Sequence, residues 1–414
     1  TREESSYFMN KLPLFCFALS VPFQTSLAFS SIKPFALSGL RASATRNIGP
    51  PSLFKPVACA RQQRTFSAFK MSEVNKVRPR TTLDEMDESG ELKRKKAAWC
   101  NWVEPGSESF PPEKDRYHLY ISYACPWAHR CLILLKMKGL EDAIGVSVVH
   151  PTWQRTKPEE DEHIGWMFRD PSDPPVSNLN GHGSFPCTYC IPDTVNNAKS
   201  IRELYEIAGD KEGKYTVPVL WDKKKKTIVS NESSDIILMF NSAFNSIAKN
   251  PDLDLYPEDL RKEIDEVNSW IYPRINDGVY RCGFAQKQDA YEKAFDALFE
   301  SLDRVEEILS KKRYLVGDRI TVADIRLFVT LIRFDPVYVV YFKTDQSRID
   351  DYPNMFNYMK EIYQMPAIKP TVIFPHIKTH YLSSHPKLNY YGIIPKGRKV
   401  NLDTPHNRDN MTST

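Results

Sequence analysis

Cys125 stands where an apolar run, "RYHLYISYA", meets an amphipathic one, "PWAHRCLILLKMKG", and Pro126 follows it directly. A cysteine at that junction caps a helix. Unpaired backbone N–H groups and the positive end of the helix dipole favour thiolate over thiol, which lowers the pKa below the free value of about 8.5. Pro126 removes one N–H but fixes the entry angle of the helix. A thiolate there is a nucleophile. Taken alone, Cys-Pro before a helix serves equally well as inert packing. The third position after it is Ala128, so a CxxC disulfide is unavailable and any redox chemistry needs an external thiol to resolve it. Cys131, six residues on, is poorly spaced for pairing within a helix and reads as core packing.

Two further constellations converge on the same chemistry. Val217-Pro218 opens a strand; a proline there is no central ladder donor, and a cis bond would leave the backbone of Val217 free for a peptide-like ligand. Glu232-Ser233 opens the next helix, where N–H groups and a hydroxyl can hold a carboxylate and Glu232 can accept from an ammonium. A plain strand-start proline and a plain helix cap are the structural alternatives. A zwitterionic end plus a peptide backbone beside a thiol describes glutathione.

These residues need a scaffold, and the patterning supplies one. "RYHLYISYA" alternates as a strand, "PWAHRCLILLKMKG" has helical spacing and a Gly139 stop, and "IGVSVVHPT" is a second strand. Residues 153–197 are rich in Pro, Asn, Gly and Asp and read as a long irregular loop, of the kind that is usually functional or disordered. "SIRELYEIAG" is a helix, "VPVLWDKKKKTIVS" a hairpin with the lysines at its turn, and "NESSDIILMFNSAF" a helix opened by Asn/Ser capping residues. The order βαβ, loop, αββα is the thioredoxin-like plan. After Leu253 the chain turns helical, and Thr321 with Asp324 forms a capping box to which no catalytic role is given. The fold class is therefore an α/β thioredoxin-like domain over 115–245, followed by an all-α domain over 246–397. A leader over 1–70, a surface-wrapped extension over 71–114 and a polar tail over 398–414 flank them. Aromatic residues crowd 270–391, and a few could line a flat aromatic site with free phenol hydroxyls.

Composition excludes other classes. The 414 residues carry a net charge of +4, but residues 1–70 hold nine Lys/Arg against two Asp/Glu. The remainder has 47 against 50, which leaves no general basic field for nucleic acid. No run reaches a membrane span. There is no GxGxxG for a nucleotide, and the CTYC pair at Cys187 and Cys190 lacks the second pair a zinc site needs, so no metal is expected. Eight cysteines without scaffold spacing fit a reducing compartment. From Asn10 to Lys70 there are eight basic and no acidic residues among many Ser, Ala and Phe, the composition of an organellar transit peptide. Plastid is the first expectation, with mitochondrion next, or cytosol if translation starts at Met71.

The motifs together are similar to one family. "CPWAHR", "GWMF", "TVPVLWD", "NESSDII", "NDGVYRCGFA", "YLVGDRITVADIRLF", "RFDPVYV" and "HIKTHYLSSHPKLNYYGIIPKG" resemble the Xi-class glutathione transferases, the glutathionyl-hydroquinone reductases, over about Trp99–Gly397. The resemblance implies the glutathione transferase fold, a homodimer, and glutathione as co-substrate. It further implies a reductase in which Cys125 takes glutathione from a glutathionyl-hydroquinone as a mixed disulfide, which a second glutathione releases. Carried over position by position, it makes Cys125 catalytic. Trp166, Lys214, Val217, Pro218, Glu232 and Ser233 become glutathione contacts, and Tyr280, Tyr338 and Tyr381 hydroquinone contacts. Lys214 stands where the family commonly has Arg and loses the fork geometry. Leu382 stands where members often have a second Tyr, which could shift the tail contact by one. The rival readings are an omega-type thiol transferase or dehydroascorbate reductase, and a non-catalytic transferase-like binding protein.

Overall fold

The alternating run at 117–121 becomes β1 (Tyr117–Ile121), every residue of which is buried. It lies inside a four-stranded sheet of order β2 (Gly145–Val148), β1, β5 (Val219–Asp222), β6 (Thr227–Ser230). In the computed structural model, residues 78–81, 84–385 and 387–411 are described, all within one compact unit, Ser72–Thr414. The leader expected over 1–70 lies outside the described residues.

From β1 the chain turns through Cys125 into α1 (Pro126–Met137) and returns as β2 (Gly145–Val148), parallel to β1. Gly139 takes a φ of +64°, the left-handed conformation glycine tolerates as a helix stop. The long loop then makes a small hairpin, β3 (Gln154–Arg155) with β4 (Ile164–Gly165). The loop is ordered, not structureless. Asp193 anchors it by accepting from Tyr120 Oη at 2.7 Å and from the N–H of Ala198 at 3.0 Å, and Cys187 and Cys190 are buried within it. Next comes α2 (Ile201–Ile207), capped by Ser200. The chain then passes a cis Val217–Pro218 bond into β5 (Val219–Asp222). β5 runs antiparallel to both β1 and β6 (Thr227–Ser230), with the lysine run 223–226 at the hairpin turn as expected. α3 (Ser233–Leu238) closes the motif; its cap is the Glu232 carboxylate, not the Asn or Ser hydrogen-bonding groups expected.

The helical part contains α4 (Arg261–Ile271), α5 (Gly278–Phe284), α6 (Gln288–Lys311), α7 (Val322–Arg333), the short α8 (Val339–Tyr341), α9 (Pro353–Gln364) and α10 (Phe374–Ser383). Thr321 and Asp324 form the expected capping box at α7, with Asp324 wholly buried. Two helical runs widen into π turns, Tyr272–Asn276 around Pro273 and Phe334–Tyr338 around Pro336. Proline has no N–H for the regular ladder, and the looser turn absorbs the mismatch. α1 packs on α3 beside the sheet and on α7 of the helical part, so one core runs through both.

The extension differs from the surface wrap expected. Val103 is fully buried and Leu92 nearly so. Asn101 N–H donates to Val229 O at 3.0 Å and Cys100 bridges to Ser230, which covers the open edge of β6. The tail is also pinned: the buried Arg408 donates to Leu309 O at 2.7 Å and Arg313 O at 2.8 Å, satisfying carbonyls at and just beyond the end of α6.

Candidate active site

Cys125 is the N-cap of α1, with φ −74° and ψ 119°. Its thiol donates to the carbonyl of Val217 at 3.5 Å, the oxygen of the cis Val217–Pro218 peptide itself. Burial pushes this thiol up from its ordinary value, opposed by the N–H of Ala128, the Arg333 guanidinium, the N–H of Trp127 and Arg94. The helix N–H groups thus act in the direction expected from sequence, but the expected net lowering is overturned: desolvation outweighs them. Cys131 lies buried in the same helix with its thiol toward Trp127 O at 3.4 Å, and burial pushes its pKa up strongly. It packs.

The Cys125 side of α1 opens on a cleft of about 920 Å³. Trp166 forms part of its wall, stacked on His380 at 4.5 Å and edge-on to Trp153 at 5.5 Å. Burial takes His380 down to about 3, and its Nδ1 lies 2.9 Å from Pro151 O, so the neutral ring donates there. Val217, Pro218, Glu232 and Ser233 also line the cleft. Glu232 Oε1 accepts from the N–H of Ser234 at 2.9 Å and lies 3.9 Å from Arg130 Nη2. Arg130, one turn along from Cys125, also donates to the Ser233 hydroxyl, tying the thiol helix to this corner. Lys214 is in the wall, but its ammonium is held by Glu85 at 2.5 Å, and burial lowers its pKa.

Opposite lie phenols. Tyr280 Oη and Tyr381 Oη are 2.5 Å apart, and Tyr338 Oη is 3.1 Å from Tyr381 Oη. Burial holds the pKa of all three above the usual phenol range, so they are protonated donors near neutrality. Tyr280 and Tyr381 line the cleft, whereas Tyr338 is fully buried and meets Tyr381 through that hydrogen bond and an edge-on ring contact with centroids 5.5 Å apart. At the tail, Tyr381 lines the cleft, and Leu382 is buried and not part of its wall.

Other residues were not anticipated. Residues 91–98 of the extension form a wall of the cleft. Arg94 pairs with Asp277 and lies 4.3 Å from the Trp127 ring and 4.8 Å from the Tyr280 ring, a cation resting against two adjoining aromatic rings. Nothing in "ELKRKKAAWC" singles out that arginine from its basic neighbours. Trp127 and Arg130 sit inside "CPWAHR" and could have been read from it. Among the described residues no group of three His, Cys, Asp or Glu could hold a metal, and no helix is long and apolar enough to cross a membrane.

A helix-capping thiol beside a cis-Pro strand, facing a helical domain, is reflected in comparisons with known proteins. Residues 124–243 match the model for the glutathione S-transferase N-terminal domain, and 288–361 that for the C-terminal domain. The glutathionyl-hydroquinone reductase YqjG of Escherichia coli (strain K12) is 47% identical over 337 residues, covering 80% of this chain and 95% of that protein. The crystal structure of glutathione S-transferase Xi from Phanerochaete chrysosporium is 48% identical with a TM-score of 0.68, covering 76% of this chain and all of that one. The glutathione-bound structure of YqjG aligns at a TM-score of 0.67 and 48% identity, over 76% of this chain and 96% of that one. With this identity spread over nearly the whole length of its relatives, the chain belongs to the glutathione transferases, in their Xi class.

Proposed function

We propose that the protein is a glutathione-dependent reductase that removes glutathione from glutathionyl-hydroquinones through a mixed disulfide on Cys125. The observation that carries it is one thiol, with no second cysteine at position three, opening on the same cleft as the Tyr280–Tyr381 phenol pair. The relative YqjG bears the name of that activity, and its solved structure holds glutathione.

In this reading the Cys125 thiolate attacks the thioether sulfur. The new S–S bond to glutathione forms as the sulfur–ring bond breaks, and that electron pair stays with the ring. The ring takes a proton at the carbon the sulfur leaves, so it is reduced while the two sulfurs are oxidised to a disulfide. A second glutathione thiolate then attacks the glutathionyl sulfur, displaces Cys125 as thiolate and departs as oxidised glutathione. Tyr280 and Tyr381 donate to the ring oxygens, where charge develops as the pair moves onto the ring. Val217 supplies backbone for the peptide part of glutathione. Glu232, Ser233 and the N-terminus of α3 receive its zwitterionic end, and Trp166 and Lys214 border the rest. A homodimer and delivery to a plastid by the leader belong to the same proposal; sedimentation velocity and a fluorescent fusion of residues 1–114 test them.

The test compares glutathionyl-menadiol with dehydroascorbate as substrate. The first should turn over faster; faster turnover of dehydroascorbate would reject this reading in favour of an omega-type thiol transferase. Cys125→Ser should lose the activity by at least about a thousandfold, as loss of a nucleophile does. Full activity in that variant would reject the mechanism.

A further inference from the structure

Arg333, the last residue of α7, is wholly buried. Its guanidinium carries a permanent charge, yet among the described residues no carboxylate pairs with it. Every partner it has is neutral. Nε donates to Ala124 O at 2.9 Å and Nη2 to Tyr123 O at 2.8 Å. Nη1 donates to Val329 O at 2.6 Å and to His129 Nδ1 at 3.0 Å. His129 is itself neutral: Nδ1 accepts from Arg333, so the ring proton is on Nε2, which donates to Thr371 Oγ1 at 2.7 Å. Burial and the adjacent guanidinium together hold its pKa well below the usual imidazole range.

A buried cation without a counter-ion is costly, and such groups are ordinarily paired. Arg333 grips the two carbonyls immediately before Cys125, so its charge is fixed to the loop that carries the thiol. Two guanidinium groups act on Cys125, Arg94 from the extension and Arg333 from α7; Tyr280 from α5, Tyr338 from the π turn and Cys131 on its own helix act on it too, and Lys214, Glu232, Arg281 and Arg326 line the same cleft. Of the two guanidinium groups, Arg94 is already neutralised by Asp277. The phenols and Cys131 are uncharged near neutrality. Of the two guanidinium groups that act on Cys125, Arg333 is the one without a carboxylate partner among the described residues.

We propose that Arg333 is a positioning residue whose missing counter-ion is the Cys125 thiolate, formed at the start of the reaction and restored when glutathione leaves. The inference rests on the reading of Cys125 as the attacking thiol. It deepens that reading by naming what offsets burial at the sulfur. The guanidinium acts in the required direction on Cys125 and, among the phenols, on Tyr338 and Tyr381. It would therefore favour negative charge on the sulfur and in the adjoining phenol cluster.

The experiment measures the rate of iodoacetamide alkylation at Cys125 against pH in the full chain, with the labelled peptide identified by mass spectrometry. Arg333→Gln, which keeps donors but removes the charge, should raise the apparent pKa of Cys125 by about one to two units. The rate near pH 6.5 should fall about ten- to a hundredfold, while the plateau at high pH stays within about threefold. An unchanged pKa with a lower plateau would mean that Arg333 is scaffold alone and overturn the proposal. Should the glutamine variant not fold, Arg333→Lys decides: a shift below about half a unit supports the charge as the agent. A rise of a full unit in a variant that keeps the charge would overturn it. Failure of the underlying reading looks different, because the label would then fall on a cysteine other than Cys125 in the wild-type protein.

Discussion

Tyr381 sits between two other phenols, within 2.5 Å of Tyr280 and 3.1 Å of Tyr338, and only the first of those two neighbours reaches the cleft. The roles therefore separate. Tyr381→Phe removes a cleft-facing donor and breaks the chain, and should lower kcat about ten- to a hundredfold in steady-state assays with glutathionyl-menadiol. Tyr338→Phe removes only a buried hydrogen bond to Tyr381 and should cost less than about tenfold. Equal losses would contradict the assignment of Tyr338 to a supporting place. Single residues were the most legible scale. Cys125, Val217, Glu232 and Ser233 were readable because each takes its character from its immediate sequence neighbours: a helix start, a proline, a cap. The thiol's pKa was not readable, since its burial and the opposing charge of Arg333, 209 residues from the carbonyl it binds at Ala124, both arise from the tertiary fold.

Two helical runs break at prolines within the motifs "IYPRINDGVY" and "RFDPVY", and the π turns lie just before Tyr280 and at Tyr338. Gly283 lets α5 lie close to Phe342, the residue just past α8: an added Cβ would meet Phe342 Cδ1 at 2.0 Å in an aromatic cluster that includes Tyr280. Gly283→Ala should therefore destabilise the fold by about 1–3 kcal/mol, seen as a lower thermal midpoint, with reductase activity lost in step. An unchanged midpoint would mean that the ring relaxes freely. The existence and order of the elements were legible from alternation, helical spacing, proline and glycine. The π turns were not, because a Pro inside an apolar helical pattern signals a break without saying how the ladder is rejoined.

Taken as a whole, the described molecule has a cleft with three walls, and the extension is the third. It is fastened by Arg94 to Asp277, by Glu91 to Arg281 at 3.2 Å and to Lys293 at 2.7 Å, and by Glu85 to Lys214. Arg94→Met leaves the Asp277 carboxylate without its ion-pair partner in a nearly buried place and should cost about 2–4 kcal/mol of stability, together with a higher KM for the hydroquinone conjugate. Adding Asp277→Asn should restore much of the stability but not the KM, a split readable by thermal melts and steady-state kinetics. If the double variant recovered KM as well, the arginine would have no part in forming the substrate site. This wall escaped sequence reading because its contacts span up to 202 residues and lie in a charged stretch without periodicity. The claim on which everything else rests is that Cys125 carries glutathione, and mass spectrometry tests it most directly. After addition of a glutathionyl-hydroquinone, the Cys125 peptide should carry a glutathione adduct that disappears with free glutathione. An adduct on another cysteine, or turnover with none on Cys125, would contradict it.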